Sequence, residues 1–301
     1  MRVLITGAAG QLARALVAAS PAAAKVRALT HAELDIADEA AVGRAMRELE
    51  PQLLINAAAF TRVDEAEAAP GTAARANSLG PAVLAAACRT AGVWLTHVST
   101  DFVFGGHQGH PYEPGARPDP QNVYGRTKLD GEIAVLAALP AGGTVVRASW
   151  LYSARGGFPA RMLELMRNRP QLTVVSDQVG APTSARGLAA VLWALSERRA
   201  AGVWHWCDSG VASWYDFAVA IAEEALRLGL ITREPQIAAV SSAEYPRAAP
   251  RPRYSLLDKR ATERFLGVLA PHWRSALRET LAGLAAERAA PAGAARTGSR
   301  A

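Results

Sequence analysis

With 301 residues, 50% of them hydrophobic and 20% charged, the chain is long enough to bury a large core as one large domain or two unequal ones. A net charge of +6 without a basic cluster or basic-aromatic alternation argues against a nucleic-acid surface and leaves the charge for solvation and for an anionic small molecule. Two widely separated cysteines, Cys88 and Cys207, exclude a disulfide framework or a cysteine zinc site, read as small buried apolar residues, and suit a reducing compartment.

Gly7, Gly10, Gln11 and Arg14 interrupt any secretory hydrophobic segment near the start. No window approaches the ~18 uncharged apolar residues that span a bilayer. A cytoplasmic location without membrane partners is expected.

Arg2-Val3-Leu4-Ile5-Thr6 is an apolar, β-branched run that passes straight into Gly7-Ala8-Ala9-Gly10-Gln11-Leu12-Ala13 and an Ala/Leu-rich helical pattern. Strand, Gly-rich turn and helix predict a dinucleotide site, because glycines allow a tight turn and the helix N-terminus offers free N–H groups to a pyrophosphate. A plain βα turn is the alternative. A second strand, Lys25 to Leu29, ends at Thr30-His31, where a cofactor with a free ribose 2′-OH would meet an Asp or Glu. None is read there, which favours NADPH, with NADH as the alternative and His31 as a candidate for the 2′-phosphate. Asp38 is the predicted cap of the next helix, and Asp35 and Ile36 either border the adenine or form a capped loop.

The buried-type strand Leu53 to Asn56 runs into Ala57-Ala58-Ala59, small residues that leave room for a cofactor at a strand's carboxyl end. Helical patterns follow at 63–67, 77–79 and 82–91, with carboxylates that read as a solvated face. The strand Val93 to Val98 delivers Ser99 and Thr100, of which only one can face a substrate because adjacent strand residues point opposite ways; Thr100 is the choice. The Gly- and Pro-rich stretch 105–121, carrying His107, His110 and Glu113, reads as a flexible lid and not as a metal site.

In Tyr124-Gly125-Arg126-Thr127-Lys128, helical spacing puts the phenol and the ammonium on one face. A lysine there would pull the phenol down from its ordinary value of about 10 toward the working range. With Thr100 bonding the same carbonyl oxygen, three groups converge on one atom.

Beyond lie a strand from Gly143 that ends at Trp150, a platform for a sugar ring or a core tryptophan, and a strand Gln171 to Val175. A polar loop Asp177 to Thr183, a strand Val203 to Cys207 and a helix capped by Ser213 and Asp216 follow. Glu244 to Arg253 reads as a loop near the ligand, and residues from about 287 to 301 as a disordered tail. The alternation predicts an α/β fold, a doubly wound parallel Rossmann sheet with a smaller C-terminal substrate-binding region. Residues 1–150, with returning elements at about 172–225, would bind the dinucleotide, and 151–171 with 226–286 the substrate.

Taken together, Gly7-x-x-Gly10-Gln11-Leu12, Leu34-Asp35-Ile36, Asn56-Ala57-Ala58-Ala59, Val63-Asp64-x-Ala66-Glu67, Ser99-Thr100-Asp101 and Val123-Tyr124-Gly125-Arg126-Thr127-Lys128 resemble the dTDP-4-dehydrorhamnose reductases, extended short-chain dehydrogenases/reductases. Arg147 to Tyr152, Asp177-Gln178-x-Gly180-x-Pro182-Thr183 and Arg251-Pro252-x-x-Ser255-x-Leu257-Asp258 extend the likeness over nearly the whole chain. The resemblance implies reduction of the C4 ketone of dTDP-4-dehydro-L-rhamnose to dTDP-L-rhamnose, the last step of dTDP-rhamnose biosynthesis. Hydride would come from NADPH and the proton from Tyr124. Lys128 would lower the phenol's pKa and hold the nicotinamide ribose, and Thr100 would orient the carbonyl.

By the same resemblance Gly7, Gly10, Gln11, Leu12, Asp35, Ile36, Ala57, Ala58, Ala59, Tyr124 and Lys128 touch the cofactor, and Thr100, Asp101, Trp150, Gln178, Pro182 and Arg253 the dTDP-sugar. Phe102 stands where the family often has Tyr, and Tyr254 where it commonly has Asn. Ala15 replaces a Glu found in members that dimerise through Mg²⁺, so no metal is carried over and a homodimer is left open. Other readings of the same frame are a nucleotide-sugar epimerase or dehydratase, and a non-catalytic subunit like the regulatory subunit of methionine adenosyltransferase.

Overall fold

In the computed structural model, which describes residues 1–289, strand β1 (Arg2–Thr6) sends Val3 and Ile5 to one face and Leu4 to the other. The period-two alternation of apolar side chains is what a strand buried on both faces requires. The chain then builds α1 (Gln11–Ala18), β2 (Lys25–Leu29), α2 (Glu39–Leu49) and β3 (Leu53–Asn56), with Asp38 capping α2 by accepting from the Ala41 N–H. Next come α3 (Val63–Ala68), α4 (Pro70–Ala74), a π-helical turn (Arg75–Leu79), α5 (Gly80–Ala91) and β4 (Trp94–Thr100). The stretch 77–79, expected as ordinary helix, is this π turn, and the fourth strand carries on through Ser99 and Thr100. A 3₁₀ turn (Asp101–Val103), α6 (Val123–Ala138) and β5 (Gly143–Ala148) complete the first half.

The second half contributes β6 (Leu151–Tyr152), α7 (Gly157–Asn168), β7 (Gln171–Val175), β8 (Val179–Gly180), β9 (Thr183–Ser184), α8 (Ala185–Glu197) and β10 (Gly202–Trp206). It closes with β11 (Ala212–Ser213), α9 (Trp214–Arg227), β12 (Gln236–Val240), α10 (Arg260–Leu266) and α11 (Trp273–Ala289). Residues 287–289, expected in a disordered tail, are the last turn of α11; the rest of that stretch lies outside the described residues.

One six-stranded sheet runs in the order β10-β5-β4-β3-β1-β2, every pair parallel. Helices α1 and α8 cover one face through Leu12, Leu16, Leu188 and Leu192, and α2, α5 and α6 the other through Val42, Leu84, Cys88 and Val135. This is the doubly wound sheet expected. Of the span 172–225 expected to return to it, only α8 and β10 do so. Strand β7 pairs with β12, and Leu172, Val174 and Phe217 share a separate core with α7 and α11, because their apolar faces meet there. No described helix is long and apolar enough to cross a membrane.

The segment 105–121 is not a free lid. The Tyr112 hydroxyl accepts from the Gly106 and His107 N–H groups at 3.0 and 3.1 Å, its ring stacks on Phe104 at 4.2 Å, and its backbone bonds to Leu256 and Asp258.

Candidate active site

In an open parallel sheet, ligands bind beyond the carboxyl ends of the strands where the strand order reverses. Here that point lies between β1 and β3. Gly7 sits there at φ +75°, and a Cβ would fall 2.8 Å from the Ala58 Cα and N, so only glycine lets the turn after β1 lie against the turn after β3. Gly10 caps α1 without any side-chain bond, which leaves the first N–H groups of the helix for a ligand. Ala57 and Ala58 are half-buried and Ala59 is exposed along this edge. Gln11 ties the turn to the Leu151 carbonyl at 3.1 Å, while its Oε1 is buried without a partner. A glycine-lined cradle, free helix N–H groups and an orphaned amide oxygen fit a dinucleotide. The Leu12 side chain points into the core, so Leu12 can offer only its backbone.

The end of β2 differs from what the sequence predicts. The Glu33 carboxylate folds back to accept from the Thr30 N–H and hydroxyl at 2.8 and 2.9 Å, so an acid does stand at the end of β2, where none is read from the sequence. The end of β2 itself is tied to the glycine turn, since the Ala8 N–H donates to Leu29 O at 3.0 Å. Asp35 accepts from Arg75 at 2.8 Å, and that guanidinium holds its carboxyl below the usual range. Ile36 is buried in the core beneath Gly80, leaving Asp35 as the accessible member of the pair.

The catalytic candidates come from β4, the 3₁₀ turn and α6. Asn122 caps α6, its Oδ1 accepting from the Gly125 N–H at 2.7 Å, and Val123 N–H donates to Glu67 at 2.8 Å. Gly125 lies directly on the Phe102 carbonyl, so the helix start is seated on the 3₁₀ turn. Across it, Asn77 in the π turn bonds Phe60 and the Thr127 hydroxyl, a staple not read from the sequence. Thr100 accepts from the Phe102 N–H and donates to Asp101 Oδ1, both at 3.1 Å. The Phe102 ring meets Tyr124 edge-on at 5.8 Å.

Electrostatics differ from the expectation of a phenol acidified by its lysine. Burial pushes Tyr124 up to about 12, with Asp101 adding to the rise and the Thr100 hydroxyl opposing it. The Lys128 ammonium is directed elsewhere: its Nζ donates to the Val98 carbonyl at 2.7 Å and lies 3.4 Å from His97 Nε2. Burial brings Lys128 down to about 8, against the pull of Glu132, and drives His97 well below 6.5. Asp101, whose Oδ2 has no partner, is raised by burial to about 7, with Ser255 and Thr100 opposing. A phenol that stays protonated at neutral pH is a loaded proton donor.

On the substrate side Trp150 is not an open platform. Its ring stacks on Trp214 at 3.6 Å and 8°, and Gly180 abuts it so closely that a Cβ would lie 3.0 Å from the indole. Its φ of +47° is strained for a bulky residue, and such strain persists only where the surroundings over-determine it. Gln178 donates to Ser242 at 2.9 Å; the Pro182 carbonyl accepts from the Asp208 N–H. Arg253 is exposed, with its carbonyl accepting from the Val179 N–H at 2.7 Å and its backbone against Gly106. Thr100, Asp101 and Tyr124 thus form one cluster, with Lys128 one helical turn along and turned to β4, whereas Gln178, Pro182 and Arg253 belong to the C-terminal region and bond to none of them. The loop 244–253 is clipped down by Arg251, which chelates Asp64 at 3.0 and 2.9 Å.

Comparison with known proteins places the chain among enzymes of activated sugars. Residues 1–286 match the family model described as RmlD substrate binding domain. The chain is 43% identical over 292 residues to the dTDP-4-dehydrorhamnose reductase of Mycobacterium tuberculosis strain H37Rv, covering 93% of this chain and 92% of the relative. Its fold is similar to the crystal structure of a dTDP-4-dehydrorhamnose reductase from Clostridium acetobutylicum, with a TM-score of 0.88 and 36% identity over 94% of this chain and 99% of that one. The Bacillus anthracis dTDP-4-dehydrorhamnose reductase, crystallised in complex with NADP, superposes with a TM-score of 0.87 at 33% identity over 93% of this chain and 98% of that one.

Proposed function

The chain belongs to the RmlD substrate binding domain family, and on that premise we propose how its residues carry out the NADPH-dependent reduction of the C4 ketone of dTDP-4-dehydro-L-rhamnose to dTDP-L-rhamnose. The observation that supports the reading is Thr100 at the end of β4 standing against Tyr124 at the start of α6, with Lys128 one helical turn further on, at the sheet's carboxyl edge. NADPH, when bound, supplies the hydride for C4. Gly7, Gly10 and the backbone of Gln11 and Leu12 hold the pyrophosphate, Ala57 to Ala59 leave room along the strand ends, and Asp35 with Glu33 faces the adenosine end. Tyr124 donates its proton to the C4 oxygen. Thr100 aims the ketone, which requires its hydroxyl to turn from Asp101. Lys128 holds the nicotinamide ribose. Positioned acid catalysis of this kind is typically worth about 10²–10⁴-fold.

The C-terminal region, through Gln178, Pro182, Arg253 and the edge of Trp150, takes the nucleotide and sugar. The enzyme works in the cytoplasm on a soluble nucleotide sugar. NADPH oxidation measured against a panel of dTDP-4-keto sugars tests the reading: rapid turnover with 4-dehydrorhamnose is expected. Protein that holds NAD tightly and oxidises no NADPH with any of them would indicate an epimerase or dehydratase instead.

A further inference from the structure

Sheet register places Thr6, Asn56 and His97 side by side on β1, β3 and β4, all on the face covered by α6 and each at most 1% exposed. Thr6 Oγ1 donates to Asn56 Oδ1 at 2.6 Å, Asn56 Nδ2 lies 2.9 Å from His97 Nδ1, and His97 Nε2 lies 3.4 Å from Lys128 Nζ. The direction of this row is set at one end by backbone. The Ala58 N–H, which can only donate, points at Asn56 Oδ1 at 3.1 Å, so the amide oxygen must face it and the NH₂ must face His97. His97 Nδ1 therefore holds a lone pair. A neutral imidazole then carries its hydrogen on Nε2, the nitrogen aimed at Lys128. An N–H aimed at a lysine nitrogen is attractive only if that nitrogen is an amine with a lone pair; against an ammonium, hydrogen faces hydrogen.

We propose that His97, locked in its Nε2–H form by Asn56, is a positioning residue that favours the neutral amine of Lys128, making that lysine a proton-exchanging group near neutral pH and not a permanent cation. The inference rests on the reading of Lys128 as part of the reductase site. The other groups around Lys128 leave it without a carboxylate of its own. From α6, Tyr124 stands one turn before it and Glu132 one turn after. Glu132 is engaged by Arg147 of β5 through bonds of 2.9 and 2.6 Å, and Asp101 of the 3₁₀ turn acts on Tyr124. From β4 come His97 and the Val98 carbonyl, the latter satisfied by an amine N–H as well as by an ammonium. The lowered value of Lys128, about 8, and the suppressed basicity of His97 agree with this arrangement. If turnover needs the ammonium, the rate falls as pH rises through the Lys128 value, and the His97 tautomer sets where that fall lies.

The test uses the full chain with ¹⁵N-labelled histidine, the His97 signals being assigned by their loss in His97→Gln. The expected spectrum has a bare Nδ1 and a protonated Nε2 for His97 from mildly acidic to alkaline pH. In Asn56→Asp the carboxylate accepts from Nδ1–H, the tautomer reverses, and Nε2 turns its lone pair to Lys128. The alkaline limb of kcat/KM for the ketosugar then moves up by about one pH unit or more, a tenfold gain in proton affinity at Lys128. His97→Gln, whose amide can present its oxygen to Lys128, moves the limb the same way without adding charge. A hydrogen found on Nδ1 in the unmodified protein, a charged ring, or an alkaline limb that stays in place in both variants overturns the proposal. The ring spectrum is read without substrate, so a chain that shows the expected tautomer yet reduces no ketosugar refutes the reductase reading and not this one.

Discussion

Replacing Asp101 by asparagine removes a carboxyl that is 2% exposed and has one oxygen without a partner. Burial raises this group from 3.8 to about 7. Between those pH values the folded protein keeps a proton that the unfolded chain has released. Stability present below about pH 4 is therefore lost as pH rises through 7, at 1.36 kcal/mol per unit, which amounts to about 4 kcal/mol in all. Asparagine has nearly the same shape and no charge to desolvate. Denaturant unfolding of both proteins from pH 4 to 8 should show the variant gaining on the parent by up to about 4 kcal/mol, nearly all of it above pH 4. Asp208, also raised by burial to about 7, is common to both proteins and cancels in the difference. A difference that does not change with pH would refute the argument that Asp101 is held in its acid form by burial.

Two further outcomes follow from the same geometry. Glu33→Gln removes an exposed charge at the end of β2, so the ratio of kcat/KM for NADPH over NADH should rise by a factor of a few. An unchanged ratio would remove Glu33 from cofactor discrimination. Arg147→Met strands the buried Glu132 carboxylate, now held by a bidentate guanidinium, and should cost about 3–5 kcal/mol in denaturant unfolding. Adding Glu132→Leu should return most of that loss, and failure to do so would show that the pair is not coupled.

Local signals were the readable ones. The turn after β1 was legible because glycines directly after an apolar strand have few other uses, and the Tyr124–Lys128 face because helical spacing needs no tertiary knowledge. The Asp38 cap and the Ser213–Asp216 capping box were legible for the same reason. What escaped depends on register and burial. Asn56 and His97 are 41 positions apart and meet only because β3 and β4 pair with those two residues opposite each other. A polar residue on the inward face of each of three apolar strands, at the end of β1 and β3 and in the middle of β4, was the available clue. Glu33 was missed because it reaches back three residues to the strand end. The direction of the Tyr124 shift was missed because burial, absent from any spacing rule, outweighs a lysine whose nitrogen is bound to the Val98 carbonyl. Trp150 has two readings from sequence alone because the ring stacked on its face, Trp214, comes from a helix far along the chain.

In the proposed reduction the Tyr124 phenol delivers the proton to the ketone oxygen. Steady-state NADPH oxidation by Tyr124→Phe, with saturating dTDP-4-dehydrorhamnose, measures it directly. Loss of the general acid predicts a fall in kcat of at least about two orders of magnitude with NADPH binding retained. Turnover equal to that of the unmodified protein would contradict it.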